Sequence, residues 1–455
     1  MISQLIQPEI IDLITNRQFT ELKEVLIDWT PTDIADLLLA LPENEQAIFF
    51  RLLPKDLAAD VFEYFDVDTQ LNLIQLLGKE DVASILNEMA DDDRTALFEE
   101  VPPNVVRQML TYLSPEQRKI SQRLLGYPEN SIGRLMTPDY IAVKESWTVQ
   151  QTLDFIRTNG KDSETLNVVY VIDDKGILID DIRIREFLLS PLQAKVSDLM
   201  NYNFVALKVD DDQETAVQIF RKYDRTALPV IDHSGTLVGI ITVDDVLDIA
   251  EEEATEDIQK IAGVEALDEP YPDISLFSMI KKRAGWLSIL FIGETLTASA
   301  MSMFEKEIQS VVQLALFIPL IISSGGNSGS QATTLVIRAL ALREITIKNW
   351  FFIFKREIIT GLVLGIILAL IGILRISIWE IVGNPYGPQW FLLAVTVFIS
   401  LIGVVTWGTL MGSMLPLIIK KLGFDPAASS APFVATLVDV TGLIIYFTVA
   451  LLILL

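Results

Sequence analysis

The sequence predicts a multidomain membrane protein with three kinds of structure in series: an all-α superhelical N-terminal domain, an α/β pair of repeats and a five-helix α transmembrane domain. Three observations support this fold class. Short helical segments recur over residues 1–130, two copies of a hairpin-containing unit follow, and the last third of the chain consists of long apolar stretches. A chain of 455 residues is also too long for one compact domain.

The charge of the chain is concentrated in its front part. Residues 284–455 contain nine Lys and Arg and eight Asp and Glu, which gives them a net charge of +1. Since the whole chain carries −26, residues 1–283 carry −27. This acidity repels nucleic acid and favours metal cations or a basic partner. Cysteine is absent and His233 is the single histidine, so any bound metal is expected to meet oxygen. No basic segment followed by an apolar core opens the chain, and we therefore expect the front part to stay in the cytoplasm.

The first domain, residues 1–130, repeats a short helix that starts at a Pro or an acidic cap. The clearest instances are PTDIADLLLALP, NEQAIFFRLLP, KDLAADVFEYF, KEDVASILNEM, DDDRTALFEEVP and NVVRQMLTYLSP. Such a series predicts stacked short helices, and an ordinary helical bundle is the alternative that the sequence leaves open.

Residues 131–250 contain two copies of a helix, strand, turn, strand unit, with Asp-Lys-Gly and His-Ser-Gly as the hairpin turns. The pair resembles tandem CBS domains, strongly in the second copy. The first copy has ILIDDIRIREFLL where the second has GTLVGIITVDDVL, and so lacks the Gly-hydrophobic-Thr segment. Residues 251–283, which begin acidic and end in Lys-Lys-Arg, predict a connecting helix, with a solvated linker as the alternative.

Residues 284–455 contain apolar stretches long enough to span a bilayer. They lie at about 285–304, 308–340, 357–380, 390–419 and 431–455. Basic residues fall at alternate ends of these five spans. By the positive-inside rule this pattern places the N-terminus in the cytoplasm and the C-terminus outside the cell. We therefore expect a multi-pass protein of the plasma (inner) membrane.

Few ionisable or amide side chains occur within the spans, where each is costly and therefore a functional candidate. Asp439 is the only ionisable residue of the fifth span, Glu294 is its equivalent in the first, and Asn327 belongs to the polar run SSGGNSGSQATT of the second. The alternative for Asp439 is an ion pair with a basic residue of a neighbouring helix. Glu294 could instead be a protonated group that faces a neighbouring helix.

Three segments resemble the MgtE family of Mg²⁺ channels, and the order of the domains resembles it over essentially the whole chain. The segments are GGNSGSQATTLVIRALA, DPAASSAPFVATLVDVTGLIIYF and TVDDVLDIAEEEATEDI. The resemblance implies a homodimer in the lipid bilayer with one pore, in which Asp439 meets a hydrated Mg²⁺. We expect the carbonyl group of Ala435 and the side chain of Asn327 to complete that site.

The resemblance also implies that Mg²⁺ bound to cytoplasmic acids closes the pore, since ions would relieve the mutual repulsion of these acids. The implied ligands are Asp60, Asp92, Asp212, Glu214, Asp224, Asp245, Asp248, Glu253, Glu256 and Asp257. Thr242 and Asp245 have the spacing with which CBS domains hold the ribose of an adenine nucleotide, which makes ATP a candidate regulatory ligand. A purely structural strand end is the alternative for these two residues.

Two other classes of function compete with a channel. An enzyme with a membrane anchor is disfavoured, because no nucleotide loop, nucleophile elbow or thiol site is present in the sequence. A secondary transporter that couples Mg²⁺ or another divalent cation to Na⁺ or H⁺ remains the alternative, and Glu294 is the acid it would use.

Overall fold

The computed structural model of the chain describes residues 2–26, 29–267, 271–272, 274–383 and 386–454. They belong to two compact units, Met1–Ala250 and Glu251–Leu455.

The first part of the N-terminal unit is all-α, as the sequence predicts. Its helices are α1 Ile2–Thr15, α2 Phe19–Leu26, α3 Pro31–Ala40, α4 Glu43–Phe50, α5 Lys55–Glu63, α6 Val67–Leu76, α7 Lys79–Glu88, α8 Asp91–Glu100, α9 Pro103–Met109 and α10 Pro115–Leu124. Local signals start them: the Thr30 hydroxyl accepts a hydrogen bond from the Asp33 amide at 3.3 Å, and Pro31 is the first residue of α3. The apolar faces of α1 to α9 share one core, whereas Ile120 and Leu124 of α10 pack in a different cluster.

Two similar three-stranded sheets follow. The strands are β1 Ala142–Lys144, β2 Val168–Ile172, β3 Leu178–Arg183, β4 Leu207–Lys208, β5 Ala227–Ile231 and β6 Leu237–Thr242. The accompanying helices are α11 Ile132–Leu135, α12 Val149–Asn159, α13 Ile184–Leu189 and α14 Gln213–Tyr223. In each sheet the first strand pairs in parallel with the second, and the second pairs antiparallel with the third. Gly176 (φ +84°) and Gly235 (φ +83°) take the left-handed conformation at the two predicted hairpin turns.

The unusual sequence of the first copy does not remove its third strand. Asp180 of β3 is fully buried, and its carboxylate accepts hydrogen bonds from the amides of Asn201 and Tyr202 at 2.7 and 3.0 Å. The strand is therefore retained, with a buried acid where the second copy has Gly239.

The connecting region differs from the single helix predicted over residues 251–283. Helix α15, Val243–Ile261, begins within the second repeat and ends before Gly263, which has a φ of +74°. Residues 262–267 are non-helical, and the basic residues 281–283 lie inside the next helix. The acidic run thus continues the helix of the repeat because nothing in it breaks a helix, whereas the basic run lies within the next helix, which begins at Leu276.

The second unit contains the long apolar helices. They are α16 Leu276–Met303, α18 Gln313–Ala341, α19 Trp350–Ile381, α20 Trp390–Lys421 and α21 Ala431–Ile453, with the short α17 Glu305–Ser310 after the first. Among the described residues, four stretches are long and apolar enough to cross a membrane, and they contain α16, α19, α20 and α21. Helix α18 has 29 residues but carries the polar run, so it does not reach the same hydropathy.

Helices α18 and α20 are in backbone contact through pairs of glycines four residues apart. A Cβ atom on Gly408 would collide with the carbonyl oxygen of Gly325, and one on Gly412 with that of Gly329. The hydroxyls of Ser328 and Thr409 are hydrogen-bonded at 2.7 Å in the same contact. Small residues therefore allow the close approach of the two helices.

Candidate metal sites

A cavity of about 370 Å³ brings together the three residues predicted to line an ion path. It lies between α18 and α21 and is lined by Pro319, Ile322, Ser323, Gly326, Asn327, Ala435 and Asp439. Six waters around one Mg²⁺ need roughly 180 Å³ at about 30 Å³ each, so the volume suits a hydrated ion.

The polar run of α18 shapes this cavity. Gly326 leaves room beside the carboxylate, because a Cβ atom there would lie 3.5 Å from both Ala435 Cβ and Asp439 Oδ1. Asn327 is exposed and its amide makes only a weak contact with the Ser323 hydroxyl at 3.5 Å. The side chains of Asn327 and Asp439 can therefore both present polar atoms to a ligand in the cavity.

The charged neighbour of Asp439 within the described chain is another acid. Glu294 of α16 lies close enough to Asp439 for the two carboxyl groups to interact. No Lys or Arg in the part of the chain that the structure describes forms an ion pair with Asp439. The geometry thus favours an acid open to a cation over the alternative of a structural ion pair.

An acidic cluster lies within the first unit. We use this name for Glu63, Asp92, Asp93, Glu164, Asp244, Asp245 and Asp248. Burial, then neighbouring acids, raises the pKa of Asp92 well above its usual range and the pKa of Asp93 to about 7. Burial and Asp93 raise the pKa of Glu63 to about 8. Such values are typical of carboxylates that lie among other acids.

Two of these acids lie on helix α8, whose first turn is fixed by a buried ion pair that does not include them. Arg94 is fully buried, pairs with Asp91, and donates to the carbonyl oxygens of Leu86 and Met89 at 3.2 and 3.0 Å. Asp92 and Asp93 are therefore free of Arg94 although they lie in the same helical turn. They begin α8, where the helix dipole favours negative charge.

The predicted cytoplasmic ligands divide into members and non-members of this cluster. Asp92, Asp245 and Asp248 belong to it, and Asp60 lies close enough to Glu63 to raise its pKa. Asp212 and Asp224 cap the two ends of α14 instead, where Asp212 accepts a hydrogen bond from the Glu214 amide at 2.9 Å and Asp224 has a φ of +48°.

A second group of acids lies at the end of α15 in the other unit. Lys260 Nζ contacts Glu256 Oε1 at 2.5 Å and Asp425 Oδ2 at 2.8 Å. Burial, then Asp425 and Glu253, raises the pKa of Asp257 to about 6. The three predicted ligands of the connecting region are thus neighbours, and a lysine of the same helix partly neutralises them.

The proposed nucleotide residues form a local cap. The Thr242 hydroxyl donates to Asp245 Oδ2 at 2.7 Å, and the Thr242 amide donates to the same oxygen at 3.2 Å. Both bonds run from Thr242 to Asp245 at the start of α15, and they fit the structural alternative that the sequence left open. Burial raises the pKa of Asp245 to about 6 although these two bonds oppose the rise.

No three acidic or histidine side chains converge into a preformed metal centre within the described residues. Mg²⁺ retains several of its waters and can bridge more distant oxygens through them, so a looser arrangement fits this ion better than it fits Zn²⁺.

Sequence reasoning missed Glu63, Asp93, Glu164 and Asp244. Asp93 belongs to the visible Asp-Asp-Asp run, so the run itself was a usable signal. Glu63 is an ordinary helix-end residue whose carboxylate accepts from the Ala90 amide at 2.9 Å, and Glu164 lies in a loop of the less typical copy. Nothing in the sequence singles out these last two.

Comparisons with known proteins agree with this architecture. Family models match residues 318–449 (divalent cation transporter), 29–130 (MgtE intracellular N domain) and 196–252 (CBS domain), and none of the three describes a catalytic family. The CBS match covers the second copy, in line with the departures seen in the first.

Relatives cover almost the whole chain. It is 37% identical over 436 residues to the magnesium transporter MgtE of Thermus thermophilus, covering 95% of each protein. It is 30% identical over 441 residues to the magnesium transporter MgtE of Bacillus subtilis, covering 97% of this chain and 96% of that protein.

Two solved structures match the cytosolic part. The cytosolic domain of the Mg²⁺ channel MgtE in complex with ATP is 32% identical, with a TM-score of 0.51, 53% of this chain covered and 99% of that one. The soluble part of a magnesium transporter is 25% identical, with a TM-score of 0.53 and coverages of 55% and 99%.

Proposed function

The chain belongs to the MgtE family of magnesium transporters, and from this premise we propose that it carries Mg²⁺ across the membrane along a path lined by Asp439. The observation that supports this most directly is the cavity that joins Asn327, Ala435 and Asp439. A carboxylate, an amide and a backbone carbonyl are oxygen donors that Mg²⁺ accepts, directly or through its waters.

The proposed ion stays hydrated while it passes. Mg²⁺ dehydrates reluctantly, and a site that contacts its waters can bind it without slowing its release. The cavity is large enough for this, and its open side leaves room for the same residues of a second copy. We therefore propose a homodimer with two Asp439 carboxylates facing one ion, which mass photometry of the detergent-solubilised protein tests.

The central test is flux into reconstituted vesicles loaded with a fluorescent Mg²⁺ indicator. Asp439→Ala removes the carboxylate and is expected to abolish flux, while Asp439→Asn separates charge from shape. Wild-type flux in both variants would contradict the proposed path. Unitary currents in a planar bilayer would identify a channel, whereas their absence alongside Na⁺- or H⁺-dependent flux would support the coupled carrier.

Regulation by Mg²⁺ is the second part of the proposal. The acidic cluster contains carboxylates whose raised pKa values reflect unrelieved repulsion and burial, so bound cations would stabilise its compact form. Neutralising Asp245, Asp248 and Glu253 together should leave flux insensitive to millimolar internal Mg²⁺. Inhibition identical to that of the parent protein would refute this mechanism.

ATP is proposed as a regulatory ligand of the second repeat. The cytosolic domain of the related Mg²⁺ channel was solved with ATP, and Thr242 and Asp245 have the spacing of a ribose-binding pair. Equilibrium dialysis with labelled ATP, comparing the parent chain with Thr242→Val, tests this directly.

The orientation with the C-terminus outside is likewise proposed, and a fluorescent tag on that end would report it.

A further inference from the structure

A second carboxyl group lies beside the cavity, on a helix that does not line it. Gly293 packs so closely on α21 that a Cβ atom there would lie 2.7 Å from Thr436 Cγ2. Thr436 precedes Asp439 by about one helical turn, and Glu294 follows Gly293. The close contact of the two helices therefore explains why the Glu294 and Asp439 side chains meet.

The surroundings of Glu294 make this meeting unusual. It is the one ionisable residue between Arg283 and Glu305, and its neighbours Phe291 and Leu296 are exposed apolar side chains. An acid on such a helix needs a polar partner or a ligand. Its neighbour in the structure is another acid, and two carboxylates side by side repel each other unless a cation binds between them. A hydrated divalent cation can interact with both carboxylates at once.

We propose that Glu294 is a second carboxylate of the ion path and sets its affinity for divalent cations. This inference rests on the proposed transport past Asp439. The Glu294 carboxylate would accept hydrogen bonds from the water shell of the passing ion while Asp439 accepts others, so the site would present more negative charge than one acid provides. A doubly charged, fully hydrated ion gains most from this arrangement.

Glu294→Gln tests the charge, because glutamine has nearly the same shape and can still donate a hydrogen bond to Asp439. In the vesicle assay we expect the half-saturating Mg²⁺ concentration to rise about tenfold, with a smaller change in maximal flux. Inhibition by hexaamminecobalt(III), which resembles hydrated Mg²⁺ but does not exchange its ligands, should weaken by a similar factor. The matched control is Glu344→Gln, an exposed acid in the loop after α18.

An unchanged half-saturating concentration in Glu294→Gln would overturn the proposal. Glu294→Asp keeps the charge on a shorter side chain and should restore most of the affinity, so equal losses in the two variants would instead assign Glu294 a packing role and also overturn it. Normal flux in Asp439→Ala would contradict the transport path itself, which is a separate result.

Discussion

Asp439 and the acidic cluster are both made of carboxylates, but their surroundings differ. Asp439 lies in an apolar unit beside an open cavity, with Glu294 as its one acidic neighbour in the described chain. The cluster gathers several acids, of which Asp92 is buried, and burial together with neighbouring acids raises the pKa values of Asp92, Asp93 and Glu63. A site with few carboxylates binds a cation weakly enough to release it, as transport requires. A site with many carboxylates binds cations strongly enough to shift a conformational equilibrium.

The two regions also differ in what positions their carboxylates. The membrane site depends on backbone contacts between helices, such as those of Gly325 with Gly408. The cluster depends on charge, because Asp92 and Asp93 approach other acids and form no ion pair with a Lys or Arg among the described residues. Structural substitutions should therefore damage the first region most, and pH or ions should affect the second most.

The largest effect is expected from Gly408→Val. Its side chain would collide with the carbonyl of Gly325, separate α18 from α20 and deform the cavity. Such overpacking typically costs about 1–3 kcal/mol or more, so we expect loss of flux and a lowered unfolding midpoint in detergent. Gly285→Ala is the control, because nothing lies within 4 Å of its added methyl group. Parent-like stability of Gly408→Val would show that the helix contact does not position the site.

The cluster should respond to pH with a definite sign. Folded Glu63 and Asp93 have pKa values raised to about 8 and about 7, above those of the unfolded chain, so they hold protons more tightly when folded. This stabilisation is complete only below the unfolded pKa values of about 4, and it is lost progressively as pH rises from there through the folded values. A pKa that is higher by one in the folded chain corresponds to about 1.4 kcal/mol of stability, so raising the pH from about 6 to about 8.5 without metal should lower the unfolding midpoint by several °C.

Added Mg²⁺ sharpens this prediction. It should restore the midpoint at the higher pH and have less effect at the lower one, because protonated acids bind cations poorly. The double variant Glu63→Gln, Asp93→Asn should flatten the pH dependence. A pH dependence that survives in this variant would assign the effect to other groups.

The difference between the regions also explains what the sequence could predict. Asp439 stood out because one charge in an apolar stretch is visible without any knowledge of packing, and the family resemblance supplied the ion. The cluster needed tertiary structure, since Glu63 and Glu164 are far apart in sequence and individually ordinary. The helical repeats and the hairpin turns were predicted because their signals are local, whereas the limits of α15 were missed because an acidic run continues a helix without a boundary signal.

The smallest effect is expected at the end of α15, where Lys260 gives the acids their own cation. Lys260→Met removes the contacts with Glu256 and Asp425, which are partly exposed and so worth at most about 1 kcal/mol. Hydrogen exchange of the last turn of α15 should accelerate by up to about fivefold, and Mg²⁺ should reverse the change by replacing the lost positive charge near Asp257. Lys281→Met, a change at an exposed lysine, is the control. Equal exchange in the two variants would mean that Lys260 does not hold the helix end, and that the acids there, like those of the cluster, lack an effective cation.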